Sequence, residues 1–247
     1  MVPSGNLERF QAGESIPIYL VQSHVKYVVF QSEMMAATKK LHPLLGKHQS
    51  GAAWRVDPGN FTPGTENAWG LLNMSPAWYQ QGHDVSCVSP YNFIVRQLTS
   101  IQTLHEPPAV GTIFREREAM AWLDHISESN SVLSAILAVI HPELHDAGRE
   151  TFNRLRQHAE IKPQDVLSRW TSVFNGVSVI CNRLVTPPHR DSNSRKQWYD
   201  LLASIGCYRN CNMQLPGLGL SLEYGPGTVV GLLGGALQHE VQDFEGE

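Results

Sequence analysis

The sequence predicts an α+β protein in which helices buttress a double-stranded β-helix, or jelly-roll, barrel. Three observations predict it. From Tyr199 onward, short apolar runs alternate with Gly/Pro clusters, the punctuation of a small sandwich or barrel. From about Glu116 to Val173 the apolar spacing is helical. His189-Arg190-Asp191, with His239 much later, is a ligand set that such a barrel carries at its mouth.

Taken in order, Ile16 to Val21 and Lys26 to Gln31 read as strands, apolar runs bounded by Pro and by Gln, Ser and His. Residues 32 to 112 read as irregular, being rich in Pro, Gly, Asn and Trp, with one helix near Asn92 to Gln102. Four helices follow: Glu116 to Ser127, Ser131 to Ile140, Leu144 to Ala159, and Gln164 to Phe174 after Pro163. The third places Leu144, Ala147, Phe152, Leu155 and Ala159 near one face. Tyr199 to Ile205, Leu218 to Leu222, Thr228 to Leu233 and Leu237 to Val241 read as strands. Pro226-Gly227 favours a tight turn, and Gly234-Gly235 most simply permits a bend. The organisation expected is a supporting layer of strands, loops and helices over 1–170 and a catalytic barrel over 171–247.

At 247 residues the chain is one large domain or a core with an appended subdomain, and 42% hydrophobic residues suffice for a core. The net charge of −4 argues against a globally basic coat for nucleic acid but leaves room for a local basic face. The N-terminus lacks the apolar segment of a signal peptide, and no apolar run approaches membrane length. A soluble intracellular protein is therefore expected. Cysteines 87, 181, 207 and 211 do not complete a zinc site; free thiols in a reducing compartment are the expectation.

The chemistry concentrates at His189, Asp191 and His239. Two imidazoles and a carboxylate form a facial triad, which holds Fe(II) on one side and leaves the opposite positions open. Residues two apart on a strand point the same way, so His189 and Asp191 share a face; Arg190 points away from them. Lys39, Lys40, His42, Lys47, His48 and Arg55 form a basic, Gly-punctuated stretch that reads first as a solvated loop and second as a phosphate track. Trp54, Trp69, Trp78 and Tyr79 read first as loop anchors and second as stacking surfaces.

About the last third of the chain resembles the 2-oxoglutarate/Fe(II) dioxygenases and, within them, the compact fungal-type members of the TET/JBP nucleobase oxygenases. Phe174-Asn175-Gly176-Val177, Thr186-Pro187-Pro188-His189-Arg190-Asp191, Leu215-Pro216-Gly217-Leu218-Gly219, Pro226-Gly227-Thr228-Val229-Val230 and His239 carry the resemblance. It implies a dioxygenase using Fe(II) and 2-oxoglutarate. It implies also a substrate of methylated double-stranded DNA, with the target base flipped out of the stack, and hence a nuclear location. The methyl of 5-methylcytosine would be oxidised to the hydroxymethyl and further, and N6-methyladenine is a second candidate through N-demethylation. Polar residues just after the triad contact the base edge in similar enzymes, which nominates Asn193 and Ser194; a solvated turn is their other reading.

In one respect the chain departs from the family. A basic residue, usually Arg, follows the distal His by about ten positions and pairs with the far carboxylate of 2-oxoglutarate. Here His239 is followed by Glu-Val-Gln-Asp-Phe-Glu-Gly-Glu. The favoured expectation is a sequence cut short of that Arg and of the last barrel strand. The other is a substitute, for which Arg183 is named first. Two further functions stay open at this point: an oxygenase of the same class acting on a protein side chain or small molecule, and a non-catalytic barrel that binds without turnover.

Overall fold

A computed structural model of the chain describes residues 19–21, 27–47, 53–62, 69–77, 110–157, 164–191, 194–242 and 244–246. The class is α+β, with helices and antiparallel sheets. Helix α1 (Tyr27–Lys39) and the short α2 (His42–Leu45) precede strand β2 (Gly70–Met74). The short strand β1 (Tyr19–Val21) comes first. Helices α3 (Arg117–His125), α4 (Ser127–Ile140), α5 (Pro142–Gln157) and α6 (Gln164–Arg169) follow. The chain then turns to strands: β3 (Val177–Cys181), β4 (Thr186–His189), β5 (Asp200–Ala203), β6 (Tyr208–Arg209) and β7 (Asn212–Leu215). Strands β8 (Leu220–Glu223), β9 (Val229–Leu232), β10 (His239–Val241) and β11 (Glu245–Gly246) complete the order.

Two sheets make the second half. One has the order β1-β9-β5, the other β4-β10-β7-β8, and every pairing is antiparallel. Val230 and Leu232 from the first sheet meet Met213 of the second, with Leu202, Leu222, Tyr224 and Val241 packed around them. The two sheets thus share a small apolar core, as stacked faces do. Two-stranded pairs β2-β3 and β6-β11 complete the pattern. Among the described residues no sheet closes on itself. Strand β10 is paired on both sides, with β4 and β7, and β11 beyond it pairs β6.

The larger core lies under the helices. Leu41, Leu44 and Leu45 meet Leu72 and Met74 of β2, and Trp122, Leu123, Phe152, Leu155, Leu167 and Trp170 fill the space between. Helix α3 buries Ala119, Trp122 and Leu123, the spacing of one face. Helix α4 is unusual: it buries Ser129, Asn130 and Ser134 while Val132 and Val139 are exposed. Ser134 explains part of this. Its hydroxyl donates to the Asn130 carbonyl (2.7 Å) and accepts from the Val173 N–H (3.2 Å), tying the segment before β3 to the helix.

Several local expectations change. The strand expected over Lys26 to Gln31 is not found: from Tyr27 the described residues form the first part of α1. Val28, Val29 and Phe30 suit a strand alone, but Glu33, Met34, Met35, Ala36 and Ala37 are strong helix formers and helix formation is cooperative. Residues 32–112 hold more regular structure than expected, since α1, α2 and β2 lie there. The helix near Asn92 to Gln102 lies outside the described residues, as do Trp78, Tyr79, His48, Asn193 and Cys87. The fourth helix ends at Arg169, not Phe174. There the Trp170 indole N–H donates to the Phe174 carbonyl (2.8 Å), and Arg156 of α5 donates to the Trp170 carbonyl (3.1 Å), so side chains end the helix. Pro226-Gly227 forms the expected tight turn, with Gly227 at φ +82° and the Thr228 N–H on the Gly225 carbonyl at 3.1 Å.

Gly148 on α5 faces Val173 so closely that a Cβ there would lie 2.5 Å from the Val173 carbonyl oxygen. Intrinsic propensity favours Ala over Gly in a helix by about 1 kcal/mol, whereas forced overpacking costs about 1–3 kcal/mol. Gly148→Ala is therefore expected to lower stability by roughly 1 kcal/mol, read as a lower urea midpoint with an unchanged slope.

Candidate metal centre

The site is assembled by one strand pairing. In the antiparallel register of β4 and β10, His239 sits directly opposite His189, and the register shifts before Val241 meets Thr186. Residues facing each other across such a pair have neighbouring side chains. The two imidazoles accordingly lie with centroids 4.2 Å apart. Asp191 follows β4, held by its N–H on the Gly234 carbonyl at 2.9 Å.

Each ring is oriented by its own strand. His189 Nδ1 lies 2.9 Å from the Pro187 carbonyl oxygen, and His239 Nδ1 lies 3.1 Å from that of Leu237. A carbonyl only accepts, so in both rings Nδ1 carries a hydrogen, which leaves Nε2 as the atom that can face a cation. Both Nε2 atoms face Asp191 at 3.6 Å, His189 toward Oδ1 and His239 toward Oδ2. One donor atom from each of the three residues lies within 4.8 Å of the others. That is a donor set and spacing that could hold one divalent cation of the iron type.

The protonation states suit a cation. Burial of Asp191 opposes ionisation, but the His189 imidazole, the Arg55 guanidinium and the His239 ring beside it hold its carboxyl down at about 2. Burial is the main cause that pushes His239 below its ordinary value, with the Leu237 carbonyl opposing. A carboxylate and a neutral imidazole are the forms that ligate.

The surrounding residues were not all legible beforehand. Arg55, expected in a solvated or phosphate-tracking loop, instead ion-pairs with Asp191 Oδ1. Trp54 packs on His189 at 4.5 Å between centroids, with Arg55 over its ring at 4.8 Å. Both residues belong to a one-turn helix, Ala53–Arg55. Neither carries a motif that sequence reading could have found.

Arg183 is brought to the same place. It bridges to Phe61, stacks on that ring at 4.8 Å and lies 5.7 Å from the Trp54 centroid. Its Nη2 donates to the Arg55 carbonyl. Burial and the Arg55 charge lower its pKa to about 10, which leaves it cationic at neutral pH. Its Nε and Nη1 are buried without a hydrogen-bond partner. Buried donors on a charged group are costly to leave unmatched, so this cradle suits an anion, and a carboxylate in particular.

Ser194 is present but engaged: its hydroxyl donates to Asp200 Oδ1 at 2.9 Å. Asp200 went unnoticed in the sequence. Its Oδ2 is buried without a partner, and burial, with Asp191 nearby, raises its pKa to about 6 against the bond from Ser194. Gly234 explains how two carboxylates fit. A Cβ there would lie 2.6 Å from Asp200 Oδ2 and 2.7 Å from Asp191 Oδ2. Gly235 likewise leaves room for the Ser194 carbonyl. The glycine pair lies in the bend expected of it, a turn over 234–236 closed by the Ala236 N–H on the Leu233 carbonyl at 2.9 Å, and provides space there as well.

The geometry is matched by relationship. A model of the TET/JBP family, the oxygenase domain of the 2-oxoglutarate/Fe(II) dioxygenase superfamily, matches residues 111–246, more than half of the chain. The chain belongs to this family and is a 2-oxoglutarate- and Fe(II)-dependent dioxygenase. A comparison with curated proteins finds no match. No helix among the described residues is long and apolar enough to cross a membrane.

Asp200 makes metal-free stability depend on pH. Its folded pKa of about 6 lies above the unfolded value of 3.8, so the stability it contributes is full below pH 4 and is lost as pH rises through 6. Asp200→Asn, which cannot ionise, is expected to gain on wild type by roughly 2 kcal/mol between pH 4.5 and pH 7.5. Urea unfolding with a chelator present measures this; a difference that does not change with pH contradicts it.

Proposed function

We propose that this dioxygenase oxidises the methyl group of a methylated base in double-stranded DNA. The substrate put first is 5-methylcytosine, with N6-methyladenine second through demethylation. The observation that carries the reading is the His-Asp-His cluster at the β4-β10 pairing, in a chain of the TET/JBP family. His189, Asp191 and His239 are the residues we assign to Fe(II). Iron and 2-oxoglutarate together supply oxidation of a C–H bond coupled to decarboxylation of the co-substrate; the protein supplies position and exclusion of water.

Arg183 is assigned to the far carboxylate of 2-oxoglutarate. Its Nε and Nη1 are buried donors without partners, and each can give a charge-assisted hydrogen bond to a carboxylate oxygen. The target base is flipped from the duplex, because its methyl is out of reach in the stack. Asn193 and Ser194 are assigned to its polar edge. The Ser194 hydroxyl donates to Asp200 and keeps lone pairs for an amino group. Arg190 and Lys196, both exposed, flank Asp191 and offer the local positive charge that a duplex backbone requires. Nuclear residence follows from such a substrate.

The two packed sheets are read as the faces of a jelly-roll with the three ligands at its mouth. We divide the chain into a supporting part, 1–170, and a catalytic part, 171–247. The net charge of −4 favours a second reading, an oxygenase of the same class acting on a protein side chain or small molecule.

Nucleoside mass spectrometry distinguishes the two. The chain is incubated with duplex DNA carrying 5-methylcytosine or N6-methyladenine, Fe(II), 2-oxoglutarate and ascorbate. Oxidised methylcytosine or lost methyladenine that requires 2-oxoglutarate is the expected result. Consumption of 2-oxoglutarate with both bases untouched supports the second reading. His189→Ala and Asp191→Ala are expected to reduce turnover to background with the circular dichroism spectrum unchanged; activity in either sinks the iron assignment. Arg183→Ala is expected to raise the KM for 2-oxoglutarate about 10–100-fold, the loss of a charged hydrogen-bond pair, and an unchanged KM would remove Arg183 from the co-substrate site.

A further inference from the structure

The family match begins at residue 111, yet two residues far upstream touch two of the three candidate ligands. Trp54 packs on the His189 ring, and Arg55 ion-pairs with Asp191. The Arg55 backbone is anchored as well, since its carbonyl accepts from Arg183. The guanidinium rests over the Trp54 ring at 4.8 Å. The one-turn helix Ala53–Arg55 is thus attached to the centre at His189, Asp191 and Arg183.

The contact selects between the two oxygens of Asp191. Oδ1 faces His189 and Oδ2 faces His239, each at 3.6 Å from the imidazole Nε2, so either oxygen, or both, could reach a cation placed between the rings. Arg55 takes Oδ1. A facial triad keeps three positions open only if its carboxylate binds through one oxygen; a carboxylate bound through both would occupy one of the positions that co-substrate and oxygen need. We propose that Arg55 is a positioning residue of the iron centre, holding Asp191 Oδ1 so that the carboxylate meets the metal through Oδ2 alone. This rests on the assignment of His189, Asp191 and His239 as ligands.

The test uses Co(II) alone as the probe, on the full chain. Its affinity is measured by competition with a chromogenic chelator, and its d–d absorption spectrum reports the coordination. Arg55→Ala and Arg55→Met both remove the donor, and Met preserves the packing on Trp54. Each is expected to weaken Co(II) binding about 10–100-fold, as loss of an outer-shell partner does, and to change the d–d spectrum. Arg55→Lys, which still donates, is expected to restore the wild-type spectrum. Thermal melts establish that each variant is folded. A wild-type spectrum in Arg55→Met overturns the proposal whatever the affinity, and so does tighter binding in Arg55→Ala and Arg55→Met, which would make Arg55 a competitor for the carboxylate. His239→Ala separates the two levels: if it binds Co(II) as wild type does, the ligand assignment itself falls, and the role of Arg55 with it.

Discussion

The antiparallel pairing of β4 with β10 is the constraint on which the site depends. It brings together two histidines that are distant in sequence and sets them face to face. The backbone near each ring then does the fine work, because a carbonyl two residues back takes the Nδ1 hydrogen and turns Nε2 toward Asp191. The same few residues thus determine position, orientation and tautomer. The shift in register after His239 is local and leaves β10 bonded to β7 on its other side, so the ligand strand is held from both edges.

Charge is balanced around that pairing within a small volume. Asp191 is ionised, Asp200 shares the space at Gly234 with it and has an unmatched oxygen, and Arg55 pairs with Asp191 while Arg183 packs near Trp54. Water screens such a group poorly when it is buried, so each charge depends on its neighbours. Gly234 makes the arrangement sterically possible, since any side chain there would meet both carboxylates. A buried arginine with free donors and a carboxylate pair around a glycine are costly for folding alone. Such local conflicts with folding rules are expected where a site has been kept for chemistry.

The helical layer acts through the core it shares with β2 and β3. Trp122, Trp170, Phe152 and the leucines of α2 pack against one another and against Leu72 and Met74. Strand β2 pairs along its length with β3, which runs on through Arg183 and Leu184 to β4. The Leu184 N–H reaches the Asn60 carbonyl at 3.0 Å, and Asn60 in turn donates to the Trp54 carbonyl at 3.0 Å. A short chain of bonds therefore connects the segment before β4 to the one-turn helix that touches the ligands. Rigid packing on one side and a hydrogen-bonded strap on the other hold the metal centre between them.

Much of this was legible in the sequence, because it depends on local pattern. Apolar spacing marked four helices, though it began the second four residues late and ran the fourth five residues too far; Gly and Pro marked the turns between the strands of the second half, and the spacing of His189 and Asp191 marked a shared face. Lys26 to Gln31 was misread because three residues of strand character began a longer helical segment, whose remaining residues decided the outcome. Arg55, Trp54, Asp200 and the spatial role of Gly234 were not legible. Each acts on a residue far away in the chain, and none belongs to a periodic or spaced pattern. The sequence by itself determined which side chains can ligate and which segments are helix or strand, since these follow from residue chemistry and near neighbours. Only the tertiary structure decided which charges meet at Asp191, because strand register and close backbone approach are properties of the packed chain.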